Sequence, residues 1–363
     1  MNATQQLHDL GQSLWIDNIS RETLRDGTLA RLIAEYSVTG LTSNPTIFEK
    51  AMSEGSAYDD AIARMARPGR STEELFFALA LEDLQQAADL FLPAHEASGG
   101  VDGWASLEVS PLLVNDTPGT IRSVASLSAQ ADRKNIFIKI PGTPAGIPAI
   151  EESIYRGVPI NVTLLFSREQ YLAAAGAYMK GIERRLRDGK SPRVESVASL
   201  FVSRWDAGAN ETLQPGFRNK LGIAIAMRTY KAYRELLASP RWSKLAAAGA
   251  HPQRLLWAST GTKDPTAPET LYVQALAAPD TIDTMPAKTL KAFAEHGKVV
   301  STLPADGGPC EQTIEEIRRE GVDIEALAAK LQRDGGDAFA KSWHALLGGL
   351  EEKVTRLTAA TPS

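Results

Sequence analysis

Short apolar runs alternate along this chain with longer segments of helical period. The runs at 13–19, 37–44, 104–110, 135–141, 159–166, 196–202, 254–260 and 281–286 have the length and residue types of β-strands. Several, such as Asn-Ile-Phe-Ile-Lys-Ile-Pro at 135–141, are apolar on both faces, as buried parallel strands are. Between the first two, Leu29, Leu32, Ile33 and Tyr36 recur at i, i+3, i+4 and i+7, one face of a helix. Ser71 with Glu74 forms a capping box ahead of an apolar-rich helix reaching about Leu90, and Ser167 with Gln170 repeats the device after the fifth run. Pro286 and Gly297 bracket a helix after the eighth. The tail from about Glu311 to Leu357 predicts two or three more helices packed across the barrel exterior, and the final six residues read as a frayed end.

Eight strands alternating with helices predict a (β/α)8 TIM barrel over about 11–300, with C-terminal helices over about 311–357, in a single domain of 363 residues. A doubly wound sheet is the rival. It favours a Gly-rich phosphate turn after the first strand, where this chain has Asp-Asn-Ile-Ser-Arg.

Composition narrows the class. At 43% hydrophobic and 23% charged, the chain is expected to be a soluble globule with a large core. Its 39 basic and 44 acidic residues give a net charge of −5, which argues against a general nucleic-acid binder while leaving room for a local phosphate site. The one cysteine, Cys310, excludes an internal disulfide framework. His8, His95, His251, His296 and His344 show no metal-ligand spacing, so no metal site is expected. No secretory signal is visible and no apolar run approaches the ~20 residues of a membrane span. A cytoplasmic protein without membrane or nucleic-acid partners is expected, and monomer and homodimer both fit.

Five strands carry a polar residue that a packed barrel interior does not explain: Asp17, Asn44, Glu108, Lys139 and Thr163. Lys139 is the sharpest signal. Lysine is almost never buried unless paired. An apolar barrel disfavours its ammonium form, which frees the amine to attack a carbonyl. The plainer alternative is a structural ion pair with a barrel carboxylate. Asp17 and Glu108 could move protons for such an amine, or merely neutralise it. A strand threonine such as Thr163, and an asparagine before proline such as Asn44, are ordinary when taken alone. Phosphate candidates close the sixth and seventh strands: Ser199 with Arg204, then Ser259 with Lys263. Cations in such loops are as often solvated surface charges. Cys310 and the tryptophans read as packing.

The strings LTSNPTIFEKA, FIKIPGTPAGIPAIEESIYRGVPINVTLLFS and SLFVSRWD resemble the transaldolase family, with similarity from about Gly11 to Leu346. The resemblance implies a barrel enzyme of the pentose phosphate pathway that uses no metal or organic cofactor. It would move a dihydroxyacetone unit from sedoheptulose 7-phosphate to glyceraldehyde 3-phosphate, giving erythrose 4-phosphate and fructose 6-phosphate. By the same resemblance Lys139 is the Schiff-base lysine and Asp17 takes the C4-hydroxyl proton during cleavage. Glu108 handles protons through a water in carbinolamine formation and breakdown, and Thr163 holds that water. Asn44 positions the dihydroxyacetone moiety, and Ser199 and Arg204 contact substrate and phosphate. The chain departs from the better-known pattern after strand seven, where Ala-Ser-Thr-Gly-Thr-Lys stands for Ser-Phe-Arg. Ser259 still fits a phosphate contact, and Lys263 then supplies a point charge where the family has a fork. Ser-Arg-Trp-Asp after strand six, in place of Gly-Arg-Ile, suggests the bacterial subgroup that includes transaldolases fused to an isomerase; no isomerase domain is expected here.

A sibling chemistry is release of free dihydroxyacetone by a fructose 6-phosphate aldolase-like enzyme. Those relatives are shorter, with Gln where this chain has Glu108 and Tyr where it has Phe201. Both positions side with transfer, because Phe201 has no hydroxyl to place a proton-transferring water. A barrel that only binds sugar phosphates would not need Lys139, Asp17 and Glu108 together.

Overall fold

A computed structural model describes residues 2–359. All eight predicted strands form, slightly shortened: β1 Ser13–Asp17, β2 Val38–Thr42, β3 Trp104–Glu108, β4 Ile136–Pro141, β5 Ile160–Leu165, β6 Ser196–Phe201, β7 Arg254–Ala258 and β8 Thr281–Met285. They pair in parallel and in sequence order, and β8 returns to β1, closing the barrel. Helices occupy the connections. Thr72–Ala97 and Arg168–Arg187 start at the two expected capping boxes. The first runs beyond the expected Leu90, past Pro93, because Phe91 and His95 keep its buried face going for another turn. Ala287–His296 lies between Pro286 and Gly297 as its sequence predicts.

Side chains alternate across each strand, so the inward set can be read by twos. Above a polar floor where Arg254 donates to Ser13 at 2.7 Å, it is apolar. Trp15, Trp104, Phe137, Val197, Leu256 and Ile282 fill the barrel, with Trp104 stacked on Phe137 at 4.0 Å between ring centroids. Gly40 makes room for this plug: a Cβ there would lie 2.6 Å from the Trp15 indole. One layer higher the filling becomes polar, with Ser199 donating to the Asn161 carbonyl oxygen at 2.7 Å and the Asn161 amide to Ser106 at 3.2 Å. The uppermost layer, at the C-terminal ends, holds Asp17, Glu108, Lys139 and Thr163.

The tail forms two helices. Cys310–Arg319 packs outside the barrel on Leu221–Leu237, with Glu311 paired to Arg228. Ile324–Ala359 departs from the expected exterior position and crosses the C-terminal end of the barrel. Gln332 donates to the carbonyls of Gly142 (3.1 Å) and Leu164 (3.0 Å), and Ser342 bonds Thr46 at 2.8 Å. Trp343 anchors the helix by meeting Phe76 edge-on at 4.9 Å. Of the six residues expected to fray, Thr358 and Ala359 still belong to this helix, and 360–363 lie outside the described residues.

Candidate active site

Strand register assembles the polar layer. Glu108 on β3 stands directly opposite Lys139 on β4, Asp17 on β1 opposite Thr42 on β2, and Thr163 on β5 opposite Pro141. The Lys139 ammonium lies 3.0 Å from Glu108 Oε2 and donates to the carbonyl of Ser43 at 2.9 Å. Lys139 and Glu108 are each only 4% exposed. The structural ion pair weighed from sequence is therefore present, yet it does not close off the lysine. Lys139 lines a cavity of about 140 Å³ with Asp17, Asn44, Thr163, Ser199, Phe201, Arg204, Ser259 and Lys263. Every candidate residue except Glu108 borders this space; Glu108 is buried beside the lysine.

Burial pushes the Asp17 carboxyl up from its ordinary range, opposed by the Thr42 hydrogen bond and by Lys139. Glu108 is pushed up by burial in the same way, and Lys139 draws it back. Both carboxyls are thereby moved towards the range in which they can exchange protons near neutrality. Thr42 donates to Asp17 Oδ1 at 2.6 Å and lies 2.7 Å from the Thr284 hydroxyl. With Asp17 ionised, Thr42 spends its one proton on the carboxylate and so accepts from Thr284. The Thr163 hydroxyl is buried on the cavity wall with no hydrogen-bond partner among the described residues, the position of a group that serves a bound molecule.

The remaining candidates follow from local structure. Asn44 caps the helix Pro45–Ser53, its side-chain oxygen accepting from Ile47 at 3.0 Å, with Pro45 at the first helical position. That leaves its amide hydrogens to the cavity. Arg204 sits in the first turn of Ser203–Ala209, directly after β6. Its guanidinium lies over the rings of Phe201 (5.0 Å) and Phe339 (5.7 Å). Ser259 follows β7 with a left-handed φ of 55°, its hydroxyl 2.9 Å from that of Ser203. Lys263 is exposed at the cavity rim. Among the described residues, no group of three or more His, Cys, Asp or Glu is placed to hold a metal ion.

Thr42, Thr284, Gly261, Pro286 and Phe339 also line the cavity without having been singled out from sequence. A threonine in a strand signals only β-propensity. A phenylalanine on an amphipathic helix signals only core.

Chemically, the arrangement presents an amine flanked by two carboxyl groups, with two further cations at the entrance, to an anionic carbonyl compound. That is equipment for a barrel lyase or transferase acting through the amine. The chain belongs to the transaldolase/fructose-6-phosphate aldolase family, whose model matches residues 14–350. It is 43% identical over 363 residues to a transaldolase of Thermobifida fusca, covering 98% of this chain and 99% of that one. It is 44% identical to a transaldolase of Thiobacillus denitrificans (96% and 99% covered) and 40% identical to one of Neisseria gonorrhoeae (96% and 100%). The family, the barrel fold and enzymatic activity of the transaldolase type, expected from the sequence strings, are thus established.

Proposed function

We propose that this chain transfers a dihydroxyacetone unit from sedoheptulose 7-phosphate to glyceraldehyde 3-phosphate through a Schiff base on Lys139. The observation that carries the reading is the lysine itself: buried, 3.0 Å from Glu108, and bordering the same small cavity as Asp17 and Arg204. The Lys139 amine attacks the ketose carbonyl carbon, and the resulting carbinolamine loses water to give an iminium. Glu108 lies beside Lys139 to exchange protons in that step through a water held by Thr163. Asp17 then takes the C4-hydroxyl proton, the C3–C4 bond breaks, and its electron pair enters the enamine as erythrose 4-phosphate leaves. The enamine attacks the carbonyl carbon of glyceraldehyde 3-phosphate, and Asp17 returns the proton to the new alkoxide. Hydrolysis of the iminium releases fructose 6-phosphate and restores the amine.

Asn44 and Ser199 hold the three-carbon unit, while Arg204, Ser259 and Lys263 receive the phosphate. Phe201 favours transfer over release, since it offers no hydroxyl to place a water against the enamine. No helix among the described residues is long and apolar enough to cross a membrane; the site of action proposed is the cytoplasm. The test follows erythrose 4-phosphate formation from sedoheptulose 7-phosphate and glyceraldehyde 3-phosphate. Wild type should form it and Lys139→Ala, folded by circular dichroism, should not. Transfer surviving in that variant would sink the mechanism.

A further inference from the structure

Arg204 is held in an unusual way. Among the described residues its guanidinium makes no hydrogen bond and no ion pair; its close contacts are the ring faces of Phe201 on one element and Phe339 on another. A cation between two ring faces is attracted to both, and its N–H edges remain unspent. Those edges are what a phosphate recognises, because they match its oxygens in a fixed fork. The orientation of Arg204 therefore depends on a ring supplied by the C-terminal helix, far along the chain from the barrel strands.

The helix is built to bring that ring in. Gln332, Gly335, Phe339 and Ser342 share one face. Gln332 and Ser342 tie it to the rim at its two ends. Gly335 permits the approach between them: a Cβ there would lie 2.9 Å from the Leu164 side chain and 3.2 Å from Arg204 Nη1. Phe339 is itself 4% exposed and borders the cavity.

We infer that Phe339 is a positioning residue for phosphate recognition: it holds Arg204 edge-on to the phosphate, so that the C-terminal helix sets the preference for phosphorylated over unphosphorylated acceptor aldehydes. The inference rests on the transfer reading above. Its test compares wild type with Phe339→Leu, using sedoheptulose 7-phosphate as donor, either glyceraldehyde 3-phosphate or unphosphorylated glyceraldehyde as acceptor, and erythrose 4-phosphate formation as the readout. In the variant, KM for glyceraldehyde 3-phosphate should rise about five- to tenfold with kcat within about twofold, while KM for glyceraldehyde stays within about twofold. Phe339→Tyr, which keeps a ring face, should restore the wild-type KM. An equal rise for both acceptors, or no rise for either, would overturn the assignment, the first by showing that the ring only packs the helix. Calorimetric titration with inorganic phosphate needs no turnover and separates the two readings. Wild-type protein that fails to transfer but binds phosphate more tightly than Phe339→Leu would leave this inference standing and the transfer reading lost. Equal phosphate affinity in the two proteins would overturn the inference itself.

Discussion

A lysine 3.0 Å from a glutamate inside a barrel meets the needs of stability and of chemistry together. The pair neutralises two groups that would be costly to bury singly, and it leaves beside the amine the carboxyl to which the proposed mechanism gives proton exchange. On the proposed transfer mechanism Phe201 disfavours release, so Phe201→Tyr should raise the ratio of free dihydroxyacetone released to product transferred. An unchanged ratio, measured with and without acceptor, would remove that role. A different buried carboxyl governs stability. Asp283 is fully buried in β8; its Oδ1 lies 2.8 Å from the Thr260 hydroxyl, and its Oδ2 has no hydrogen-bond partner among the described residues. Burial pushes it up to about 7. In the unfolded chain an aspartate titrates near ~3.9. Between these values the native protein keeps a proton that the unfolded chain has released, so this contribution is complete below pH ~4, falls as pH rises and is gone above pH ~7. Asp283→Asn removes that loss. It should raise Tm above wild type by about 3 °C or more at pH 8.5 and leave it nearly unchanged at pH 4, in scanning calorimetry across pH.

At the scale of elements, the barrel depends on layers that alternate strands must fill together. Gly40 faces the Trp15 indole at a distance that admits no side chain, and the Trp104 carbonyl closes the other direction at 2.8 Å. Gly40→Ala should destabilise by about 1–3 kcal/mol through overpacking, seen as a lower urea midpoint with an unchanged slope. The strands and the helix starts were legible because each has a local signal: apolar runs for the strands, capping boxes at Ser71 and Ser167. The lysine and its carboxylates were legible for the opposite reason, as polar residues in runs that should be apolar. The rest of the cavity carries no such conflict. Thr42 and Thr284 suit a strand in any protein, and the Ser43 group that accepts the Lys139 hydrogen bond is a backbone carbonyl. Phe339 and Gly335 become meaningful only once Ile324–Ala359 is seen to cross the barrel mouth, which depends on distant partners such as Phe76 and Leu164.

For the whole molecule, charge and architecture work in opposite senses. The chain carries a net charge of −5, yet its cavity gathers Lys139, Arg204 and Lys263 against Asp17, with Glu108 buried beside the lysine. A concave site with excess cations attracts anionic ligands despite the acidic net charge. The barrel supplies amine and carboxyls from its strands, the segments after β6 and β7 supply two cations, and the C-terminal helix closes the wall. The claim on which this account turns is the covalent role of Lys139. Incubation with fructose 6-phosphate and borohydride, followed by peptide mass spectrometry, tests it most directly. A reduced three-carbon adduct on the peptide containing Lys139, absent without sugar, is the predicted result. Folded protein that turns over both substrates yet carries no adduct, or carries it on another lysine, would contradict it.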